Sequence, residues 1–142
     1  MNADRCYIIA EAGVNHDGDV DKALRLVDVA AEAGADAVKF QTFSAARLVT
    51  ATAPKAAYQE RATGAEESQF EMLRRLELDE AAHHLLRERA LARGIDFMST
   101  PFDEEACDFL ETFAMPFFKV PSGELTNLPF LRHVARKGRP MI

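Results

Sequence analysis

Two lysines stand out as residues able to do chemistry. Lys39 lies in the run AVKFQTF (residues 37–43) and Lys119 in FFKV (residues 117–120), both apolar enough to read as buried strands. Taking an ammonium out of water without a partner is costly, so each lysine must either pair with a carboxylate such as Glu11 or Glu124 or hold an anion. Two such cations at equivalent strand ends point to a bound phosphate or carboxylate. Ser99 and Thr100 end the run IDFMST (residues 95–100), and Ser122 and Gly123 follow FFKV; their hydroxyls and backbone N–H groups can complete an anion cradle. Glu11 and Glu124 sit just past the first and fourth strands. Carboxylates there suit general acid/base work or the holding of sugar hydroxyls, with ion pairing to the lysines as the plainer alternative. Gln41 can orient a polar substrate or satisfy backbone groups at a strand end. His16 of AGVNHDG is either a proton carrier or a loop-building residue. His83, His84 and His133 fall in charged helical stretches and read as solvated surface. No two histidines have ligand spacing on an element facing the strand ends, so no metal site is expected within this chain. Cys107 reads as packing.

The elements that must position these residues alternate regularly. CYIIA (residues 6–10) is a first strand, followed by helix starts at Asp17, Gly18 and Asp19 and an apolar stripe from Val20 to Ala31 that Gly34 ends. Ala37 to Phe43 is a second strand. A long polar excursion with Pro54 and Gly64 then reaches to about Glu67. Two helices follow, joined at an Asp79 N-cap, and Gly94 closes the second. Ile95 to Thr100 is a third strand stopped by Pro101, and Asp103 caps the next helix. Phe117 to Val120 is a fourth strand, and Asn127 caps the last helix, which carries Pro129 in its first turn. Pro140 to Ile142 starts a fifth strand.

Strand–helix alternation of this kind specifies a parallel α/β fold. Four such units plus a strand fit an open doubly wound sheet or half of an eight-stranded barrel. Side-chain alternation separates the two. Ala37, Lys39 and Gln41 share one face of the second strand while Val38 and Phe40 share the other; Phe117 and Lys119 oppose Phe118 and Val120. A sheet covered by helices on both sides is apolar on both faces. Here one face turns polar toward the strand ends, as in a barrel whose interior top layer is its active site. The expected fold is the N-terminal half of a (β/α)8 TIM barrel: four βα units and the start of a fifth strand.

The chain has 142 residues, 48% hydrophobic and 28% charged, which suits one globular domain rather than a disordered segment. A net charge of −6 argues against gripping nucleic acid or an anionic membrane, both of which call for surplus cations. The two cysteines, Cys6 and Cys107, have no metal-type spacing and suggest no disulfide framework. With no long apolar span and no signal-peptide pattern at the start, the expected location is cytoplasmic.

Several runs together resemble one family. IIAEAGVNHDGD, GADAVKFQTF, APKAAYQERATGAEESQFEMLRRLEL, FMSTPFD and FKVPSGELTNLPFL are similar to the N-terminal barrel of bacterial N-acetylneuraminate (sialic acid) synthases, and the related legionaminic acid synthases share most of these runs. The resemblance implies a transferase that condenses phosphoenolpyruvate with an N-acetylated amino sugar, N-acetylmannosamine in the sialic acid case, and releases phosphate. It implies that Lys39, Thr100, Lys119 and Ser122, with Ser99 adjoining, hold phosphoenolpyruvate. Gln41 and Glu124 would meet the sugar, and Glu11 would be an active-site acid. A divalent ion, manganese or magnesium, is implied for the full-length enzyme, with its ligands outside this chain.

On this reading the second half barrel and a C-terminal domain are absent from residues 1–142, which alone are expected to give no turnover. The open sheet edges favour self-association into a homo-oligomer. Two rival readings are a Schiff-base aldolase using Lys39 or Lys119, and a non-catalytic half barrel that docks a partner through residues 44–67.

Overall fold

The computed structural model describes residues 5–49 and 68–142. In it the chain runs β1 (Ile9–Gly13), α1 (Val20–Glu32), β2 (Ala37–Thr42), α2 (Ala45–Leu48), α3 (Gln69–Arg75), α4 (Glu80–Ala92), β3 (Asp96–Pro101), α5 (Glu104–Glu111), a 3-10 turn (Ser122–Glu124) and α6 (Leu128–Ala135). Helix starts follow from short polar side chains. Asp19 accepts from Lys22 N, Asp79 from Ala82 N, Asp103 from Ala106 N and Asn127 from Phe130 N; each such cap contributes about 1 kcal/mol. Ser68 and Glu71 form a reciprocal capping box at α3, a Ser-x-x-Glu signal that the sequence displays openly.

The three strands form a parallel sheet in the order β1-β2-β3. Register sets Glu11 beside Lys39, Phe40 beside Ser99 and Gln41 beside Thr100, with a bulge between Glu11 and Gly13. Alternation along the strands divides the apolar residues into two cores. Val38, Phe40 and Phe97 pack on one side with Val27 of α1, Leu86 of α4 and Leu110 of α5. Ala37, Met98 and Phe117 pack on the other, with Tyr7 and Ile9 against them. The second, smaller core lies at the N-terminal ends of the strands. It floors the helix-free face, leaving the C-terminal half of that face to polar residues. This is a partial (β/α) barrel: helices outside, a side-chain layer inside.

The structure shifts several expected boundaries. β1 begins at Ile9 rather than Cys6 and runs through Gly13, because Glu11 and Gly13 continue the pairing with β2. β3 includes Pro101, whose missing N–H is tolerated at the strand's last residue. Residues 45–48 form a short helix where an irregular excursion was expected; Pro54 and Gly64 lie outside the described residues. Phe117 to Val120 does not join the three-stranded sheet. Its backbone bonds go to the chain's end instead: Phe118 N donates to Pro140 O, Val120 N to Ile142 O and Ile142 N back to Phe118 O. Among the described residues, no helix is long and apolar enough to cross a membrane.

Gly18 joins the β1–α1 loop to α3. Its φ is +80°, and a Cβ there would stand 2.2 Å from the Arg75 carbonyl oxygen, whereas at Gly34 (φ +78°) nothing lies within 4 Å. Gly34→Ala carries only the left-handed backbone cost of about 1–2 kcal/mol. Gly18→Ala adds a backbone clash, so denaturant unfolding should show it to be clearly the more destabilised; equal losses would contradict the contact.

Candidate active site

The helix-free face gathers four of the expected site residues. Lys39, projecting from the middle of β2, is only 8% exposed. Its ammonium donates to Thr100 Oγ1 at 3.0 Å and forms an ion pair with the Glu11 carboxylate. The ion-pair alternative weighed for Lys39 is therefore realised. An ammonium has three donors, and these contacts occupy two. Gln41 lies one alternation further along β2. A Cβ on Gly13 would stand 3.2 Å from Glu11 Oε1 and 3.5 Å from Gln41 Nε2, so the bare glycine at the bulge leaves room for both side chains to approach. Register and alternation thus bring Glu11, Lys39, Gln41 and Thr100 together at the C-terminal end of the strands, where barrel enzymes build their sites.

The second group follows the fourth expected strand. Phe117 is in the inner core and Phe118 in the outer one, so alternation puts Lys119 on the inner face. It is half-buried, and its Nζ donates to the adjacent Val120 carbonyl at 2.7 Å. That bond holds the ammonium without neutralising it. Ser122 is exposed at the start of the 3-10 turn, and Glu124 is half-buried at its end. Asn127 holds Glu124 by donating from Nδ2 to Oε2 at 2.6 Å while its own Oδ1 caps α6. Cavities of about 240, 290 and 300 Å³ lie away from the two lysines; the largest of them is lined by Glu124, Asn127, Arg47 and Asp103.

Ser99 departs from expectation. It is fully buried, but on the helix side of β3, with its hydroxyl 2.7 Å from Thr42 Oγ1. Adjacent residues of a strand face opposite ways, so Ser99 cannot join Thr100 at Lys39. His83 is also corrected. It is 1% exposed rather than solvated, with Nε2 2.8 Å from Thr42 Oγ1 and Nδ1 2.8 Å from the Asp79 carbonyl. His16 too is fully buried. Its Nδ1 accepts from Gly18 N at 3.0 Å, its ring lies near Phe40 on the outer side, and Nε2 has no hydrogen-bond partner among the described residues. His16 therefore shapes its loop and does not face the Lys39 cluster. His84 is exposed and stacks on Phe113, and His133 is half-buried beside Asp108. Cys107 packs in the core, where burial pushes its thiol up to about 11.

Among the described residues, no three His, Cys, Asp or Glu side chains are grouped to hold a metal ion. Glu11, the acid nearest Lys39, is committed to that ammonium. The described residues do not by themselves fit a metal centre, and no step below is routed through one. The same commitment counts against Lys39, though not against Lys119, as the nucleophile of the aldolase reading.

A parallel α/β half barrel with a lysine, acids and amides at its strand ends defines a class of barrel proteins, and comparison narrows it. Residues 26–142 match the NeuB family, and the chain belongs to that family. It is 54% identical over 137 residues to the N,N'-diacetyllegionaminic acid synthase of Legionella pneumophila, covering 96% of this chain and 38% of the relative. It is 39% identical to the human N-acetylneuraminate-9-phosphate synthase, covering 96% and 38%. Among solved structures it resembles the N-acetylneuraminic acid (sialic acid) synthetase of Leptospira borgpetersenii at TM-score 0.77 and 31% identity, covering 95% of this chain and 42% of that one. The chain spans about two fifths of the length of these relatives.

His16 and His83 give the fold a pH dependence. Burial lowers both below the ordinary 6.5, so below that pH the unfolded chain binds more protons than the folded one, and stability rises with pH there. Unfolding free energy should fall as pH drops through about 6.5, well before Asp17, Asp28 and Asp108, held below 3.8 by cationic partners, lose theirs. Chemical denaturation at a series of pH values checks this; a flat profile from pH 7.5 to 5 would contradict it.

Proposed function

We propose that this chain supplies half of the site of an enzyme that condenses phosphoenolpyruvate with an N-acetylated amino sugar, releasing phosphate. The observation that carries the reading is the buried Lys39 ammonium, held by Thr100 and Glu11 with a donor to spare, on the same face as Lys119, which has no ion pair among the described residues. Phosphoenolpyruvate brings a phosphate and a carboxylate. Glu11 offsets one cation, so the second, Lys119, is the one that makes the site attractive to an anion. On binding, its ammonium exchanges the Val120 carbonyl for an anionic oxygen. Thr100 and Ser122 add hydroxyl donors.

The acceptor sugar is placed against Gln41 and Glu124. Attack of the enol C3 on the sugar aldehyde puts negative charge on the aldehyde oxygen and positive charge at C2. Water adds at C2, and phosphate leaves by C–O cleavage. Glu124, aimed by Asn127, and Glu11, aimed by Lys39, are the carboxylates available to stabilise the cation at C2 or take a proton from the water. A divalent ion, manganese or magnesium, would polarise the aldehyde when bound by ligands beyond the described residues.

Of the two acceptor types, the one leading to an N,N'-diacetyllegionaminic acid is favoured over N-acetylmannosamine. Two synthases of that type are 54% and 48% identical to this chain, against 39% for the human N-acetylneuraminate-9-phosphate synthase. We place the enzyme in the cytoplasm and expect it to act as a homo-oligomer.

The test uses this chain joined to the remainder of the barrel that its relatives carry. Phosphate release should require both substrates, and the oxygen bridging C2 to phosphorus should leave with phosphate. Lys119→Met should weaken phosphoenolpyruvate binding about tenfold or more, measured by calorimetry. Near-normal affinity in that variant would overturn the assignment.

A further inference from the structure

The strand residues adjoining the site are tied to one another on the sheet's reverse side by a line of buried hydrogen bonds. His83 Nδ1 faces the Asp79 carbonyl at 2.8 Å. A carbonyl only accepts, so Nδ1 carries the imidazole's proton. The neutral ring's Nε2 must then accept, and its partner among the described residues is Thr42 Oγ1 at 2.8 Å. That spends Thr42's proton, so the Ser99 hydroxyl, 2.7 Å away, is the donor to Thr42. The backbone carbonyl of Asp79, the N-cap of α4, therefore sets the direction of every bond in the line. All three side chains are buried: Ser99 is 0%, His83 1% and Thr42 9% exposed.

Two aromatic rings pack against the line's imidazole. The His83 ring meets Phe97 and Phe109 edge-on at 6.4 and 5.6 Å. The polar line adds bond direction to this packing. Its position in the sequence explains what it directs. Thr42 follows Gln41 on β2 and Ser99 precedes Thr100 on β3, while Gln41 and Thr100 are register partners on the opposite face. Thr100 in turn receives the Lys39 ammonium. Pinning the outer residues to α4 fixes the rotation and spacing of the strand ends that carry the inner ones.

We propose that His83 is a positioning residue for the phosphoenolpyruvate end of the site, acting through Thr42 and Ser99 to hold Lys39, Gln41 and Thr100 in register. The inference rests on the functional reading above. It predicts a specific failure in acid. A proton on Nε2 would turn that nitrogen into a donor facing Thr42, leaving one hydroxyl proton of the Thr42–Ser99 pair without its acceptor in the line. Burial holds His83 below the usual imidazole range, and Asp79 opposes that shift. The other charged and titratable groups around it are Glu80 and His84 on α4, His16 in the β1–α1 loop, and Arg47 of α2 and Glu105 of α5 across the adjoining cavity.

The experiment uses the chain joined to the remainder of the barrel. Thr42→Val removes the hydroxyl at nearly constant shape and should lower kcat/KM for phosphoenolpyruvate about tenfold, mainly through KM, at temperatures where circular dichroism shows the variant folded. Thr42→Ser, which keeps the hydroxyl, should recover most of that loss. His83→Gln places a non-titrating acceptor near the Nε2 position; it should keep activity at neutral pH and remove an acid limb that the parent shows below pH 6.5. A Thr42→Val enzyme within about twofold of the parent, or an acid limb unchanged in His83→Gln, overturns the inference while leaving the functional reading intact. A parent protein that binds no phosphoenolpyruvate overturns the functional reading, and this inference falls with it.

Discussion

A buried ammonium needs a counter-charge, and in this protein that requirement organises the sheet. Lys39 sits in the central strand of the three, so its neighbours on either side are fixed by register: Glu11 of β1 directly beside it, and Met98 of β3 opposite, with Thr100 two residues on. The strand pairing that buries the lysine also delivers the carboxylate and the hydroxyl that make its burial tolerable. Shifting either pairing by one residue would turn Glu11 or Thr100 to the helix side and leave the charge unsatisfied. The ion pair is therefore a constraint on register as well as a part of the site.

The two faces of the sheet are polar for different reasons. On the inner face the polar groups keep spare capacity: a third donor on Lys39, and a Lys119 ammonium resting on a carbonyl. On the outer face Ser99, Thr42 and His83 are buried and bond to one another. Spare capacity distinguishes a surface prepared for a substrate from one that is finished. Among the described residues His16 Nε2 is the exception, a buried ring nitrogen without a partner on the outer side.

Membership of the NeuB family gives these residues a chemical setting. The relatives are more than twice as long as the stretch they share with this chain, so the described face is one wall of a site. On the proposed reading, such a wall, with lysines, acids and an amide at the strand ends, would hold the anionic donor and meet the sugar. The small core of Tyr7, Ile9, Ala37, Met98 and Phe117 closes the other end of that wall, which confines the polar chemistry to the C-terminal ends of the strands.

Much of this was legible in the sequence because it depends on period and on local chemistry. Alternation within AVKFQTF put Lys39 and Gln41 on a face apart from Val38 and Phe40, and short-range capping marked Asp79, Asp103 and Asn127, since a cap bonds only three residues away. What the sequence did not reveal depends on contacts between distant residues. Ser99 and Thr100 look interchangeable as hydroxyls; only pairing with β2 decides that one meets Lys39 and the other Thr42. His83 sits in a stretch as polar as any surface helix, and its burial depends on α4 laying that side against Thr42 and Phe97, 41 and 14 residues away. The chain's own order determined the alternating elements, their caps and the inward lysines. Tertiary packing decided which carboxylate answers Lys39 and which hydroxyls lie beyond its reach, because a charge's partner is chosen by distance in space and the sequence records only distance along the chain.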